Sequence, residues 1–173
     1  SVNIIGVPIS SNDWQDAIAE MGSMLNDMGI TLISTPGAGC SSAELESSTA
    51  AEYNVCVCPE YCGRTASFYE NEYGIPTIFS SMGAPVGFDA VEGWVKGIGE
   101  AMGADTSKVD ERIRRGRERV FKRMSGSFLS RRVRGSRFSV IADSSVAYPL
   151  TKWLYEYLDR KSTRLNSSHR LLS

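Results

Sequence analysis

Residues 55–62 read Val-Cys-Val-Cys-Pro-Glu-Tyr-Cys, and this stretch decides the fold. The apolar run over 55–58 is short and β-branched, which is typical of a buried strand. Pro59 ends the strand because it cannot donate to a β-ladder. A helix follows, with Ala66, Phe68 and Tyr69 predicted on its apolar side. A strand that leads directly into a helix is the unit from which a parallel sheet is built.

The same alternation extends in both directions from this unit. Further strands are predicted at Val2–Val7, Ile30–Ser34 and Gly74–Phe79. Helices are predicted from a cap at Asn12 or Asp13 to Gly29, after a capping box of Ser41 and Glu44, and over Phe88–Met102. Parallel strands need helical crossovers, so the fold class is α/β: a Rossmann-like parallel sheet flanked by helices, over residues 1–104. Right-handed crossovers place the strand-end loops 8–12, 36–42, 58–63 and 80–87 along one edge, where any chemistry is expected.

The texture changes after residue 104. Thr106 or Ser107 can cap a long basic helix through about Met124, and a loose basic linker completes residues 105–135. Residues 136–158 are predicted to start a second, truncated Rossmann-like domain. It comprises a strand at Phe138–Ala142, an end loop at Asp143–Ser145 and a helix over Ala147–Leu158.

The two ends of the sequence suggest a fragment. The chain starts without Met, inside an apparent strand, and residues 159–169 match what a sequencing-library adapter encodes in one frame. Residues 159–173 are therefore expected to be adapter read-through rather than native protein, and His169, the only histidine, belongs to them. There is neither a secretory signal nor an apolar run of about 18 residues, so we expect a cytoplasmic protein without a membrane partner.

Charge and missing motifs narrow the function. Hydrophobic residues make up 42% and charged residues 23% of the chain, which argues against disorder. Residues 1–104 hold 2 basic and 13 acidic residues, whereas residues 105–158 hold 13 and 6. This asymmetry indicates either a solvated arginine-rich helix or a charged docking surface. The helix lacks interleaved aromatic residues, so no nucleic-acid partner is expected. Neither G-x-G-x-x-G nor a P-loop occurs, which argues against a nucleotide site.

The cysteines are the residues with the most chemical potential. Cys56 and Cys58 alternate along one strand and point to opposite faces, and Cys56 is interpreted as core. Cys58 lies at the carboxyl end of the strand, where we expect its sulfur to face a cleft. Cys62 follows one helical turn later, and the helix N-terminus would stabilise a thiolate at either position. A ligand or redox role and a purely structural role stay open for both, because the spacing lacks the paired C-x₂-C of zinc sites. Glu60 and Asp89 could be imagined as paired carboxylates, although no spacing rule links them.

Several segments, taken in order, resemble the component 1 oxidoreductase superfamily of nitrogenases. The matching segments are 2–6, 28–30, 42–45, 54–58, 73–76 (Tyr-Gly-Ile-Pro), 87–92 and the restart at 138–145 with Tyr148. The resemblance covers residues 1–158, and the order and spacing of the segments carry it.

The resemblance implies a subunit of a two-component, ATP-driven reductase. Its partners would be a related subunit, paired in a heterotetramer, and an ATP-dependent iron–sulfur reductase. Its cofactor would be an iron–sulfur cluster or related metallocluster whose bridging ligands lie outside this segment, and a tetrapyrrole is a further possibility.

The resemblance also implies site residues. Cys58 stands sixteen residues before the glycine of Tyr-Gly-Ile-Pro, where the family places a cysteine that ligates a metal cluster, so Cys58 is the expected metal ligand. Ser10, Cys62, Asp143 and Ser144 would complete the cofactor-binding site.

Departures from the nitrogenase pattern at 59–61 and 143–146 favour a relative that acts on a tetrapyrrole, a sulfur compound or another substrate over dinitrogen reduction. A second interpretation is a reductase whose substrate or cofactor occupies the cleft without a cysteine bond. The contrasting interpretation is a non-enzymatic cluster-assembly scaffold or a degenerate pairing subunit.

Overall fold

The computed structural model describes residues 1–125, 137 and 139–158. The strands are β1 (Val2–Ile5), β2 (Leu32–Ser34), β3 (Tyr53–Cys56) and β4 (Thr77–Ile78). The helices of the described residues are α1 (Trp14–Asp27), α2 (Ser42–Ser47), α3 (Pro59–Tyr73), α4 (Phe88–Met102), α5 (Ser107–Ser125) and α6 (Ser144–Trp153). A 3₁₀ turn (Ser48–Ala50) follows α2, and a π-helical turn (Leu154–Leu158) continues α6.

The strands form one parallel sheet in the order β2-β1-β3-β4. The central pair is in register from Val2 opposite Tyr53 to Ile5 opposite Cys56. The chain moves to one side from β1 to β2 and to the other side from β3 to β4, so the strand order reverses between β1 and β3. The predicted α/β class with a Rossmann-like parallel sheet is confirmed.

The larger core lies on the face of the sheet that packs against α1, α4 and α5. Its fully buried members include Leu25 of α1, Val95 and Ile98 of α4, and Val109 of α5. The Trp94 indole, 2% exposed, also donates a hydrogen bond of 3.3 Å to the backbone carbonyl of Cys56. Burying apolar side chains of this size stabilises the fold by about 1.5–3 kcal/mol each.

The opposite face carries a smaller cluster and a buried polar network. Ile5 and Cys56 pack against the inner side of α3. Next to them, the Asn3 side-chain amide donates to the Asn54 side-chain oxygen at 3.0 Å and to the Ser48 carbonyl at 2.8 Å. Buried amides are stable only when they are paired in this way, so the network helps to align the central strands.

The basic helix α5 pairs with acidic residues of the first hundred residues. The Arg112 guanidinium contacts the carboxylates of Glu20 at 2.8 Å and Asp27 at 3.1 Å on α1, and Lys108 also contacts Asp27. The charge asymmetry seen in the sequence is therefore answered in part inside the molecule.

The structure confirms some local predictions and corrects others. The capping box at Ser41 and Glu44 is present. Phe68, predicted on the apolar side of its helix, is 53% exposed because successive helical residues are about 100° apart, and positions 66 and 69 already define the inner face.

The end of the chain departs more strongly from the prediction. Residues 139–143 are not in a strand, and Ile141 is fully exposed. A strand needs a partner for its backbone groups, and the described residues offer none there. The last helix begins at Ser144 rather than Ala147. Phe138, the linker at 126–135 and the suspected adapter segment 159–173 lie outside the described residues.

Candidate functional site at the switch point of the sheet

The reversal of strand order brings the loops after β1 and β3 side by side, which is where open α/β sheets bind ligands. The Cys58 amide donates to the Gly6 carbonyl at 3.1 Å, so the two strand ends remain in contact beyond the ladder. Gly6 has φ +77°, and a Cβ built on it would lie 2.6 Å from the Cys58 carbonyl oxygen. Only glycine allows this approach without strain.

Cys58 occupies the position immediately before α3 and lies in the larger core. Its side chain is only 2% exposed and shares a hydrogen bond with the Ser145 hydroxyl. Burial raises the pKa of the Cys58 thiol, and the nearby carboxylate of Glu60 acts in the same direction. The thiol is thus covered by the start of α6 rather than open to a cleft, contrary to the sequence-based expectation of its surroundings.

Glu60 joins the N-termini of α3 and α6. Its carboxylate accepts hydrogen bonds from the Ser144 hydroxyl at 2.6 Å, the Ser145 amide at 2.7 Å and the Ser145 hydroxyl at 2.7 Å. Burial alone would raise the pKa of Glu60, but these donors outweigh it and lower the pKa to about 2. Negative charge is also favourable at the N-terminus of a helix. Glu60 is therefore ionised and holds the α6 segment against the sheet edge.

Beside this contact, an exposed pair forms on the rim. The Tyr61 hydroxyl donates to the Asp143 carboxylate at 2.6 Å, and this hydrogen bond raises the pKa of Tyr61. Asp143 immediately precedes α6, and Tyr61 lies within the first turn of α3. The same two helix ends therefore position both the covered and the exposed groups.

The structure separates Cys62 from the site predicted for it. Its sulfur lies 2.9 Å from that of Cys56, in the small cluster on the other face of the sheet. The hydrogen bond between the thiols lowers the pKa of Cys62 and raises that of Cys56. Alternation along β3 already places Cys56 on the α3 side, so a helical turn from Pro59 could have indicated this pair.

The remaining predicted site residues divide in the same way. Ser10 lies exposed in the loop after β1, on the expected edge, whereas Asp143 and Ser144 meet α3 directly. Glu60 and Asp89 have different partners and do not form a carboxylate pair: Asp89 contacts Lys152 and Arg117.

A metal centre needs several ligating side chains close together. Among the described residues, no group of three or more His, Cys, Asp or Glu side chains could hold a metal ion. Cys58 therefore supplies at most one thiolate, and this segment does not fit a metallocluster by its own residues. No described helix has the length and apolar character to cross a bilayer.

A parallel sheet with polar side chains gathered at its switch point defines a Rossmann-like, ligand-binding α/β domain. Residues 1–158 match the family described as nitrogenase component 1 type oxidoreductase. The chain belongs to this family, as the order of its segments predicts.

Similar proteins include one kind of subunit of the light-independent protochlorophyllide reductase, from several bacteria. The protein of Synechococcus sp. (strain RCC307) is 26% identical over 104 residues, which is 60% of this chain and 19% of that protein. The protein of Halorhodospira halophila (strain DSM 244 / SL1) is 24% identical over 106 residues, 61% of this chain and 20% of that protein. The protein of Synechococcus sp. (strain CC9605) is 26% identical over 146 residues, 84% of this chain and 27% of that protein. The chain thus spans between about a fifth and a quarter of these relatives.

Proposed function

We propose that this chain is part of the substrate-reducing subunit of a nitrogenase-like two-component reductase in the cytoplasm, and that its substrate is a tetrapyrrole. The observation that carries the proposal is the convergence of Cys58, Glu60, Tyr61, Asp143 and Ser144 at the switch point, in a chain of this family. The relatives, described as light-independent protochlorophyllide reductase subunits, support a tetrapyrrole as the substrate class.

Each group at this edge has a distinct task in the proposal. Glu60 is ionised, so it positions α6 and does not deliver a proton. The exposed Tyr61–Asp143 pair binds a polar substituent of the substrate and holds a proton on the phenolic oxygen. The thiol of Cys58, covered and with a raised pKa, forms part of the floor under that pair.

In the proposal, the electrons come from a separate ATP-dependent iron–sulfur reductase, and a related subunit completes the site in a heterotetramer. A bridging iron–sulfur cluster held by residues outside this segment would supply low-potential electrons. The roles of Ser10 and Ser144 are to border the substrate on the two sides of the crevice.

The experiment uses the full-length protein that carries this segment, assembled with its paired subunit and reductase, and measures protochlorophyllide reduction in the dark by absorbance. Tyr61→Phe and Asp143→Asn should each lower turnover by at least tenfold. Tyr73→Phe is the matched control, because it removes a hydroxyl from an exposed tyrosine at the other end of α3. Unchanged turnover in both rim variants would overturn the proposed site.

Cys58→Ala distinguishes the interpretations of the site, with Cys40→Ala, a partly exposed thiol on another loop, as the control. Loss of both bound iron and turnover supports Cys58 as a metal ligand. Retained iron with lost turnover supports a substrate pocket without a cysteine bond, which the burial of the thiol favours. Retained iron and turnover would reject both roles for Cys58. A wild-type assembly without turnover favours the non-enzymatic scaffold or pairing subunit.

A further inference from the structure

Two buried thiols outside the proposed site lie unusually close together. The sulfurs of Cys56 and Cys62 are 2.9 Å apart, and the side chains are 2% and 1% exposed. Non-bonded carbon atoms pack best at about 3.5–4.0 Å, and sulfur is larger than carbon. The sulfur atoms in a disulfide are about 2.05 Å apart, so a further approach of about 0.9 Å would join these two.

The local fold explains this proximity. Cys56 ends β3 with its side chain on the α3 side of the sheet, and the first turn of α3 returns Cys62 to the same side. Gly6 leaves the space above the pair open for sulfur, since a Cβ built there would lie 3.1 Å from the Cys62 sulfur. Ile5 and Ala66 complete the surroundings and, being apolar, offer the thiols no competing side-chain hydrogen bond.

We propose that Cys56 and Cys62 form a reversible disulfide, with a peroxide as the oxidant. One thiol attacks a peroxide oxygen, which breaks the O–O bond and gives a sulfenic acid and water when the oxidant is hydrogen peroxide. The second thiol then attacks the sulfenic sulfur, forms the S–S bond and releases a second water. The pair loses two electrons and two protons, and the peroxide gains both; a thiol reductant reverses the change.

This modification is independent of the proposed reductase function, although it lies next to the switch point. The disulfide would close a loop that contains Cys58 and Glu60 and would tie the first turn of α3 to the end of β3. The α3 contact with Ser144 and Ser145 would then start from a covalently fixed helix end. The pair is thus placed to report oxidation to the adjacent site.

The test uses the full-length protein, fully reduced, freed of reductant and exposed to a small molar excess of hydrogen peroxide. Remaining thiols are alkylated in denaturant, and the protein is cut after glutamate without reduction. Cleavage after Glu52, Glu60 and Glu70 separates peptide 53–60 from peptide 61–70. The expected product is these two peptides joined, two hydrogens lighter than their sum, and it should disappear after reduction.

Matched serine variants assign the bond, because peptide 53–60 carries both Cys56 and Cys58. Cys58→Ser and Cys40→Ser should keep the joined product, whereas Cys56→Ser and Cys62→Ser should lose it. If a variant fails to fold, the fragment spectrum of the wild-type product identifies the linked residues instead. A link from Cys58 to Cys62, or peroxide treatment that leaves peptides 53–60 and 61–70 separate, would overturn the proposal.

Discussion

Replacing Glu60 by glutamine should loosen the contact between α3 and α6. The variant keeps the shape of the side chain but loses the charge that accepts three hydrogen bonds from Ser144 and Ser145. A pKa of about 2 in the fold against an ordinary value of 4.5 corresponds to a ceiling of about 3.4 kcal/mol. Glu60 is exposed to solvent, which screens the interaction, so we expect about 1–2 kcal/mol.

Hydrogen exchange measures this contact directly, because the Ser145 amide donates to Glu60. A loss of about 1–2 kcal/mol should speed exchange at that amide by about 5- to 30-fold at pH 7. The folded pKa of Glu60 is depressed, so the stabilisation is fully present above about pH 4.5 and is lost as the pH falls through about 2. The difference between wild type and variant should therefore shrink over that window.

The control is Glu70→Gln, which removes an exposed carboxylate from the same helix. It should leave exchange at Ser145 unchanged. Equal exchange in wild type and Glu60→Gln at pH 7, or an equal effect of the control, would refute the assigned role of the carboxylate.

Two further variants test the packing around the site. Gly6→Ala should lower the melting temperature strongly, by about 2–4 kcal/mol of stability, because the new Cβ would lie 2.6 Å from the Cys58 carbonyl oxygen at a positive φ. Gly29→Ala shares the positive φ but has no atom within 4 Å of its Cβ, so it should cost only about 1–2 kcal/mol; equal melting temperatures would contradict the close approach. Asp89→Asn should destabilise by about 1–3 kcal/mol in chemical denaturation, because it leaves two partly buried cations without their carboxylate. Burial alone would raise the pKa of Asp89 but its cationic partners lower it, so this contribution should fade as the pH falls below the ordinary range of the carboxyl; Glu100→Gln, at an exposed pair, should change stability by less than about 0.5 kcal/mol, and a similar loss there would contradict the assignment.

Much of the site's framework could be predicted from local sequence signals. Pro59 marks the corner between β3 and α3, and alternation places Cys56 and Cys58 on opposite faces. These features depend on a few neighbouring residues. The strand expected over 138–142 could not be judged in that way, because a strand exists only if another strand is available to pair with it.

The sequence by itself determined the order of strands and helices, the edge of the sheet where Cys58 lies and the membership of the family, since these follow from periodicity, caps and segment order. Only the tertiary structure decided which side chains meet there. The partners of Glu60 and Tyr61 come from residues more than 80 positions away, on α6 and just before it. Cys62 lies against Cys56 rather than Cys58 because the first turn of α3 crosses the other face of the sheet. Contacts of this kind depend on how distant elements pack in space, and no local pattern encodes that.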